Sequence, residues 1–168
     1  GGDLTVDFAS PPSRLRSRAR RPGGAPPKVL MQVTQVPAHA FREYDIRGVA
    51  DRDLTNELVH ALGLALARAL APAPGRAPRL AVARDCRLSG PRLRAQLVEG
   101  LVAGGAHVLD VGEGPTPYLY SAVHALDVDG GVMITGSHNP GDENGFKIMR
   151  GKGSFFGADI QTLRAAIE

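Results

Sequence analysis

Segments with strand and helix character alternate along the chain from Phe41 onward, and this alternation constrains the fold more than any other feature. Helices are predicted where apolar residues recur every three or four positions between a capping residue and a Pro or Gly. Short apolar segments rich in Val, Ile and Leu are typical of buried strands. The predicted helices are 55–70, 89–104, 116–126 and a last one from Ala158, and the predicted strands are 79–83, 107–111, 131–135 and 145–149. Helices between successive strands imply right-handed crossovers and a largely parallel sheet, so we predict an α/β fold.

Two hydroxyl residues are predicted to cap helices. Thr55 and Ser89 each precede an amphipathic segment, where a side-chain oxygen can accept a hydrogen bond from a free backbone N–H of the first turn. Glu57 and Pro91 lie in the first turns that follow, where an acidic residue and a Pro are favoured. In sheets of this kind ligands bind at the carboxyl ends of strands. We therefore expect the functional site in the loop after strand 131–135.

The composition indicates one domain with an apolar core. The chain has 168 residues, of which 43% are hydrophobic, and no apolar stretch approaches the roughly 18 residues that a membrane span needs. Cys86 is the only cysteine in the sequence, which rules out an internal disulfide and fits a reducing compartment. We therefore expect a cytoplasmic protein with no membrane partner.

Basic residues are concentrated in the first 28 residues, which hold six Lys and Arg and two Asp, a net charge of +4. Because the whole chain has a formal charge of +3, residues 29–168 carry −1, and this balance gives no reason to expect nucleic-acid binding. Residues 1–38 are rich in Pro and Arg and are predicted to be a disordered tail, with contact to RNA or an acidic partner as the minor alternative. Residues 39–168 are predicted to form the domain. The composition turns globular at Met31, which favours Met31 as a native translation start.

The loop that carries chemistry is predicted to be 135–147. Ser137 follows the end of a strand beside a Gly, and His138 and Lys147 bring two nitrogen donors near its hydroxyl. One alternative is an ordinary polar turn, because Asn-Pro and Asn-Gly pairs form turns. Another is a Ser–His hydrolase pair. Neighbours in an extended segment point to opposite sides, however, and the Gly-x-Ser-x-Gly motif is missing.

Four segments of the sequence resemble motifs of the α-D-phosphohexomutases, and most closely those of their bacterial phosphomannomutase/phosphoglucomutase branch. Thr-Gly-Ser-His-Asn-Pro, followed by Asn-Gly-Phe-Lys, is similar to the phosphoserine loop of that family. Phe-Arg-Glu-Tyr-Asp-Ile-Arg-Gly resembles its opening motif, and the other two resemble its Asp-x-Arg-x-Ser-Gly and Gly-x-x-x-Thr-Pro segments. The four lie, in chain order, at 41–48, 85–90, 112–117 and 135–147. Their order along the chain makes the polar turn a poor explanation.

The resemblance implies a fold and an activity. The fold would be domain I of a phosphohexomutase, three α/β/α layers around a mostly parallel mixed sheet. The activity would be that of an enzyme that interconverts hexose 1-phosphate and hexose 6-phosphate of mannose or glucose through a phosphoserine. A hexose 1,6-bisphosphate would serve as intermediate and activator. The alternatives are a phosphoglucosamine mutase domain and a non-catalytic domain that binds sugar phosphates or a partner protein.

The resemblance also implies site residues. Ser137 would carry the phosphoryl group, and Arg47, His138 and Lys147 would surround it with positive charge. Lys147 would also act as general acid and base. Substrate would bind through Tyr44, Arg47 and Lys147. One Mg²⁺ would be bound through the phosphate on Ser137 together with an Asp-rich loop of a second domain.

Two of these assignments have structural alternatives. Tyr44 can be a half-buried ring that packs on the sheet. Arg47 can be a surface ion-pair partner of Asp45 or Asp51.

Departures from the family pattern lead to further expectations. Gly136 stands where the family commonly has Ala, which is expected to loosen the loop slightly, whereas Asn139 is expected to brace it. The sequence has no Asp-x-Asp-x-Asp-Arg metal loop and no later sugar-binding or phosphate-binding segment. We therefore expect a fragment with negligible mutase activity alone, whose partners are hexose phosphates and the remaining domains of the parent enzyme.

Overall fold

The structure is a computed structural model that describes residue 33 and residues 35–168. The predicted tail, residues 1–38, lies almost wholly outside the described residues, and so does Met31. The disorder of the tail, the boundary at residue 39 and the translation start therefore stay predictions.

Residues 35–168 form a sheet of six strands, four α-helices and a short 3₁₀ turn at Ala38–Ala40. The strands are β1 (Ile46–Val49), β2 (Arg79–Arg84), β3 (His107–Glu113), β4 (Gly130–Ile134), β5 (Glu143–Arg150) and β6 (Gly153–Ser154). The helices are α1 (Asn56–Ala69), α2 (Gly90–Ala103), α3 (Thr116–Ala125) and α4 (Ala158–Ala165). The predicted elements are all present within a few residues of their expected ends, whereas β1 and β6 were not predicted. No helix in this part of the chain combines the length and apolarity that crossing a membrane requires.

The sheet is mixed, with strand order β1-β5-β4-β2-β3 and β6 beside β5. Strands β3, β2 and β4 are parallel, as helical crossovers require, but β5 is antiparallel to β4, to β1 and to β6. The parallel part is therefore smaller than expected. The reason is the connection from β4 to β5, which is only the eight residues 135–142, too short for the dozen or more residues of a parallel crossover.

Helices cover both faces of the sheet, which confirms the three-layer arrangement. The larger apolar cluster joins α1, α2 and α4 to one face, where Val82, Val132 and Phe146 are buried. A smaller cluster joins α3 to the opposite face through Leu119 and Met133. Because side chains alternate along a strand, the α3 face also carries residues 145 and 147 of β5. Helix α3 packs on β2 and β4, and the candidate site lies beside it on β5 and β1.

The two predicted caps have different outcomes. Thr55 caps α1, because its Oγ1 accepts a hydrogen bond from the Leu58 backbone N–H at 3.3 Å. The prediction for Ser89 is wrong: it precedes α2 in helical conformation and its side chain makes no capping bond. Its hydroxyl accepts instead from Asn144 Nδ2 at 2.8 Å. Asn144 is completely buried, so its amide needs a partner inside the protein, and Ser89 supplies one.

Candidate functional site

The loop between β4 and β5 presents Ser137 to solvent. Ser137 adopts φ 54°, the left-handed region, and is the only residue other than Gly with a positive φ in the described part of the chain. Such a conformation is unfavourable by about 1–3 kcal/mol for a side chain with a Cβ, so surrounding bonds must hold it. One of them joins the Ser137 N–H to Thr135 Oγ1 at 2.9 Å. Thr135 itself is buried, whereas Ser137 is exposed.

His138 contacts the Ser137 hydroxyl, with Oγ and Nδ1 3.3 Å apart. The expectation that these two side chains point apart is therefore wrong. It assumed an extended segment, and the left-handed conformation of Ser137 removes that geometry. The contact places the imidazole where it can donate to an oxygen on Ser137.

Arg47 and Lys147 meet at one carboxylate. Asp45 Oδ2 lies 2.8 Å from Arg47 Nε and 3.2 Å from Lys147 Nζ. Arg47 Nη1 also donates to the Thr135 carbonyl at 3.1 Å, so the guanidinium bonds directly to the residue two before Ser137. These contacts bring Arg47 and Lys147 together and tie Arg47 to the start of the loop.

The register of the sheet explains how Arg47 reaches this position. Arg47 on β1 pairs with Gly145 on β5. A Cβ on residue 145 would overlap the Ile46 carbonyl oxygen and lie 2.9 Å from Arg47 Cγ. Gly145 therefore allows the Arg47 side chain to lie flat across β5 towards the loop.

The surface alternative for Arg47 is wrong. Its partner is indeed Asp45, but the Arg47 side chain is only 7% exposed. Asp51 pairs instead with Arg92 at 3.1 Å. In contrast to the guanidinium, the Lys147 side chain is 30% exposed and can reach a ligand. Two cations against one carboxylate leave a net charge of +1 at this position.

Arg87, to which the sequence reasoning assigned no role, donates more hydrogen bonds to the loop than any other side chain of residues 35–168. Its Nη2 donates to the carbonyls of Ser137 at 3.1 Å and Asn139 at 2.7 Å. Its Nη1 donates to the carbonyl of Glu143 at 2.9 Å and to that of Pro140. The only signal in the sequence was the Asp-x-Arg-x-Ser-Gly segment, in which this residue is the Arg.

Asp85 completes the contact between this turn and the loop. Its Oδ2 accepts from the Gly136 N–H at 3.1 Å, and its Oδ1 accepts from the Arg87 N–H, also at 3.1 Å. Oδ2 also lies 3.4 Å from Arg87 Nε. The carboxylate thus holds the loop backbone and orients the guanidinium at once.

The expectation that Gly136 loosens the loop slightly stays a prediction. A Cβ at this position would overlap the Arg87 guanidinium, so the space left by the missing side chain is filled by a group that binds the loop. Asn139 braces the loop as expected: its N–H donates to the Gly136 carbonyl at 3.1 Å, and its Nδ2 donates to Glu143 Oε2 at 2.6 Å.

Tyr44 is exposed, and its ring stacks on that of Phe156 with centroids 6.1 Å apart. The exposed fraction of Tyr44 is 67%, so the alternative of a half-buried ring packed on the sheet is wrong. Phe156 was not predicted, and it is itself 52% exposed. The two rings form an exposed apolar surface, and Tyr44 directly precedes Asp45 in the sequence.

One carboxyl outside the loop is strongly perturbed. The Arg52 side chain, bonded to Asp53 at 2.9 Å, holds the pKa of Asp53 well below its usual range, and a bond from the Val49 N–H acts in the same direction. Burial of Asp53 opposes this shift. His39 Nε2 lies 3.3 Å from the same carboxylate. The cluster joins the end of β1 to the turn before α1 and is structural.

Among residues 35–168 no group of three or more His, Cys, Asp or Glu side chains is placed to hold a metal ion.

Comparisons with known proteins identify the family. A model described as phosphoglucomutase/phosphomannomutase, alpha/beta/alpha domain I, matches residues 38–168. A phosphomannomutase/phosphoglucomutase of Pseudomonas aeruginosa is 49% identical over 134 residues, which cover 79% of this chain and 28% of that protein. A phosphoglucomutase of Neisseria gonorrhoeae is 47% identical over 128 residues, 76% of this chain and 27% of that protein.

A solved structure gives the same result. The crystal structure of a phosphoglucomutase/phosphomannomutase family protein from Burkholderia thailandensis matches with a TM-score of 0.73 and 40% identity, over 79% of this chain and 30% of that chain. This chain spans less than a third of the length of these relatives. It belongs to the phosphoglucomutase/phosphomannomutase family and corresponds to its alpha/beta/alpha domain I.

Proposed function

We propose that this chain is the phosphoserine domain of a phosphohexomutase that interconverts the 1-phosphate and 6-phosphate of mannose or glucose, with Ser137 as phosphoryl carrier. One observation supports it above the others. The exposed hydroxyl of Ser137 lies on a loop whose backbone bonds directly to Arg47, and Lys147 shares the Arg47 carboxylate. Family membership and the names of the relatives point to the same chemistry.

The reaction needs one transfer and its reverse. The bond between phosphorus and Ser137 Oγ breaks as a bond forms to a free hydroxyl of the hexose phosphate. The proton of that hydroxyl passes to Ser137 Oγ, with the half-exposed Lys147 amine as relay. The resulting hexose 1,6-bisphosphate turns over in the cleft, and its other phosphoryl group returns to Ser137 by the same step reversed. The hexose then leaves with its phosphate at the other position.

Charge neutralisation is the main task of the protein in such a transfer. A phosphoserine carries about −1.5 to −2 at neutral pH, and a cation 4 Å away stabilises each unit by about 4 kcal/mol at an effective dielectric of about 20. Arg47, Lys147 and His138 are the donors proposed for this role. Tyr44, on the exposed surface beside Asp45, is proposed to border the sugar.

One Mg²⁺ is proposed to bind through the phosphate oxygens on Ser137, where it would neutralise part of the phosphoryl charge. Because the described residues offer no carboxylate cluster, its other ligands would come from a second domain of the parent enzyme. The same reasoning makes that domain a partner of this chain, together with hexose phosphates. A cytoplasmic location, where sugar phosphates are made and used, fits the proposal.

Intact-mass measurement tests the carrier role. The whole chain is incubated with glucose 1,6-bisphosphate, and a gain of about 80 Da is expected from one phosphoryl group. Ser137→Ala should abolish the gain, whereas the control Ser121→Ala, an exposed Ser on α3, should keep it. A chain that never gains the mass, or a Ser137→Ala chain that still does, would contradict the proposal and favour a non-catalytic binding domain.

A further inference from the structure

We propose that Arg87 is a positioning residue that holds the Ser137 loop in its reactive shape, and that Gly136 leaves the space that the Arg87 guanidinium occupies in this chain. This inference rests on the proposed function only in calling the shape of the loop reactive. The set of hydrogen bonds by which Arg87 holds the loop, the Arg87 clamp, follows from contacts within the chain.

Arg87 directs four hydrogen bonds at one loop. A guanidinium presents its N–H donors in one rigid plane, and here they reach four carbonyls within the span 137–143. Such convergence on one short loop fixes the path of its backbone. Hydrogen bonds from an ionised donor are also about twice as strong as those between neutral groups.

The contact with Ser137 explains a conformation that the residue would not adopt by itself. Arg87 binds the Ser137 carbonyl, while Thr135 Oγ1 binds its N–H. Both polar backbone groups of Ser137 are thus held from within the protein, and its hydroxyl stays exposed. Left-handed backbone at a residue with a Cβ persists where the surroundings fix it in this way.

Gly136 provides space for the Arg87 guanidinium and does not depend on the backbone freedom of Gly. Its φ lies outside the left-handed region, so Ala would be tolerated by the backbone. The obstacle is the guanidinium of Arg87, which a Cβ would overlap. Asp85 restrains that guanidinium from moving aside, since it binds both Arg87 and the Gly136 N–H. The effects of substitutions at Arg87 and Gly136 on the loop should therefore be non-additive.

Four variants of the full chain test the inference: Arg87→Ala, Arg87→Lys, Gly136→Ala and the double variant Arg87→Ala/Gly136→Ala. Arg94→Ala is the control, because Arg94 lies on α2 and pairs with Asp110. Amide hydrogen exchange over 135–144 reports the loop, and thermal unfolding reports the rest of the fold. Transfer from glucose 1,6-bisphosphate to Ser137 is followed by mass against donor concentration, which separates the maximal rate from half-saturation.

Arg87→Ala should speed exchange of the Gly136 and Asn139 amides by about tenfold or more, as expected for the loss of hydrogen bonds from a charged donor. The maximal rate of transfer should fall by a similar factor, with half-saturation changed by less than about threefold, because the loop and not the sugar contacts is disturbed. Arg87→Lys should not restore the rate, since an ammonium lacks the planar fork. Gly136→Ala should behave like Arg87→Ala, and the double variant should be no worse than Arg87→Ala alone.

Loop exchange in Arg87→Ala within about twofold of the Arg94→Ala control would overturn the inference, and so would full rescue by Lys. If Arg87→Ala does not fold, exchange in Gly136→Ala decides, and unchanged exchange there overturns the clamp. If no chain accepts phosphate while the loop loosens as expected, the clamp stands and the proposed carrier function fails.

Discussion

Asp45 provides the sharpest test of the charge arrangement at this site. Its Oδ2 is the shared partner of Arg47 at 2.8 Å and Lys147 at 3.2 Å. The Arg47 side chain is 7% exposed and that of Asp45 is 11% exposed, so neither charge is well hydrated. Asp45→Asn keeps the shape of the side chain and removes the anion between the two cations.

The expected loss of stability follows from these distances. At 2.8 Å and an effective dielectric of about 20, the pair with Arg47 is worth about 6 kcal/mol of gross attraction. The cost of desolvating both charges offsets part of it, and removing one partner of a buried pair typically destabilises by about 3–5 kcal/mol. For a domain of this size that lowers the melting temperature by about 10–20 °C.

Urea unfolding at neutral pH measures the change, with Asp51→Asn as control. Asp51 also pairs with an Arg, at 3.1 Å, but its side chain is 94% exposed, so its loss should change the free energy of unfolding by less than about 1 kcal/mol. Adding Arg47→Met to Asp45→Asn should recover stability, because it removes the uncompensated buried cation. Equal effects of Asp45→Asn and Asp51→Asn would refute the reasoning that burial makes the Asp45 contacts strong.

Two further predictions concern the fold. Leu97→Ala on α2 should lower the free energy of unfolding by about 2–5 kcal/mol because Leu97 is completely buried, whereas Leu88→Ala, at 99% exposure, should change it by less than about 0.5 kcal/mol; similar urea midpoints for both would contradict this packing. The pKa of Asp53 is lower in the folded chain than the ordinary value of about 3.9, so its contribution is fully present above that pH and is lost as the pH falls towards the folded pKa. The difference in unfolding free energy between the native chain and Asp53→Asn should therefore shrink from about pH 5 to about pH 2, and a constant difference would contradict the shift.

Local patterns were enough to predict most elements of this fold. Helices α1 and α2 follow from apolar residues at helical spacing between a capping residue and a Pro or Gly, and α3 follows from the Thr-Pro pair at its start. Those signals act within a few residues. Strand β1 has four residues within a motif of polar and charged residues, so its sequence carries little strand signal. The antiparallel direction of β5 was predictable from the eight-residue connection before it, which excludes a crossover.

The residues of the candidate site were proposed from the sequence, whereas their geometry was not. The motifs pointed to Ser137, Arg47 and Lys147. In the structure Arg47 bonds to the loop that carries Ser137, and Lys147 shares the Asp45 carboxylate with Arg47. Arg87 is 50 residues from Ser137 along the chain, and nothing local says that its guanidinium folds back over the loop. The conformation of Ser137 depends on those distant bonds, so the expectation of an extended Ser137 failed for the same reason.

The cations and the hydroxyl of the candidate site lie on parts of the fold that are stabilised by different interactions. Arg47 and Lys147 project from β1 and β5, whose ladder fixes their spacing, whereas Ser137 is on a loop held by side-chain bonds. Asp45 cancels one of the two cations, so Arg47, Lys147 and Asp45 together carry a net charge of about +1, against the −1.5 to −2 of a phosphoserine. Asp85 likewise offsets Arg87, which therefore adds geometry more than charge. These three side chains thus leave a phosphoryl group on Ser137 short by about half to one positive charge. The proposed Mg²⁺ would supply that charge from the exposed side, where another domain can reach it.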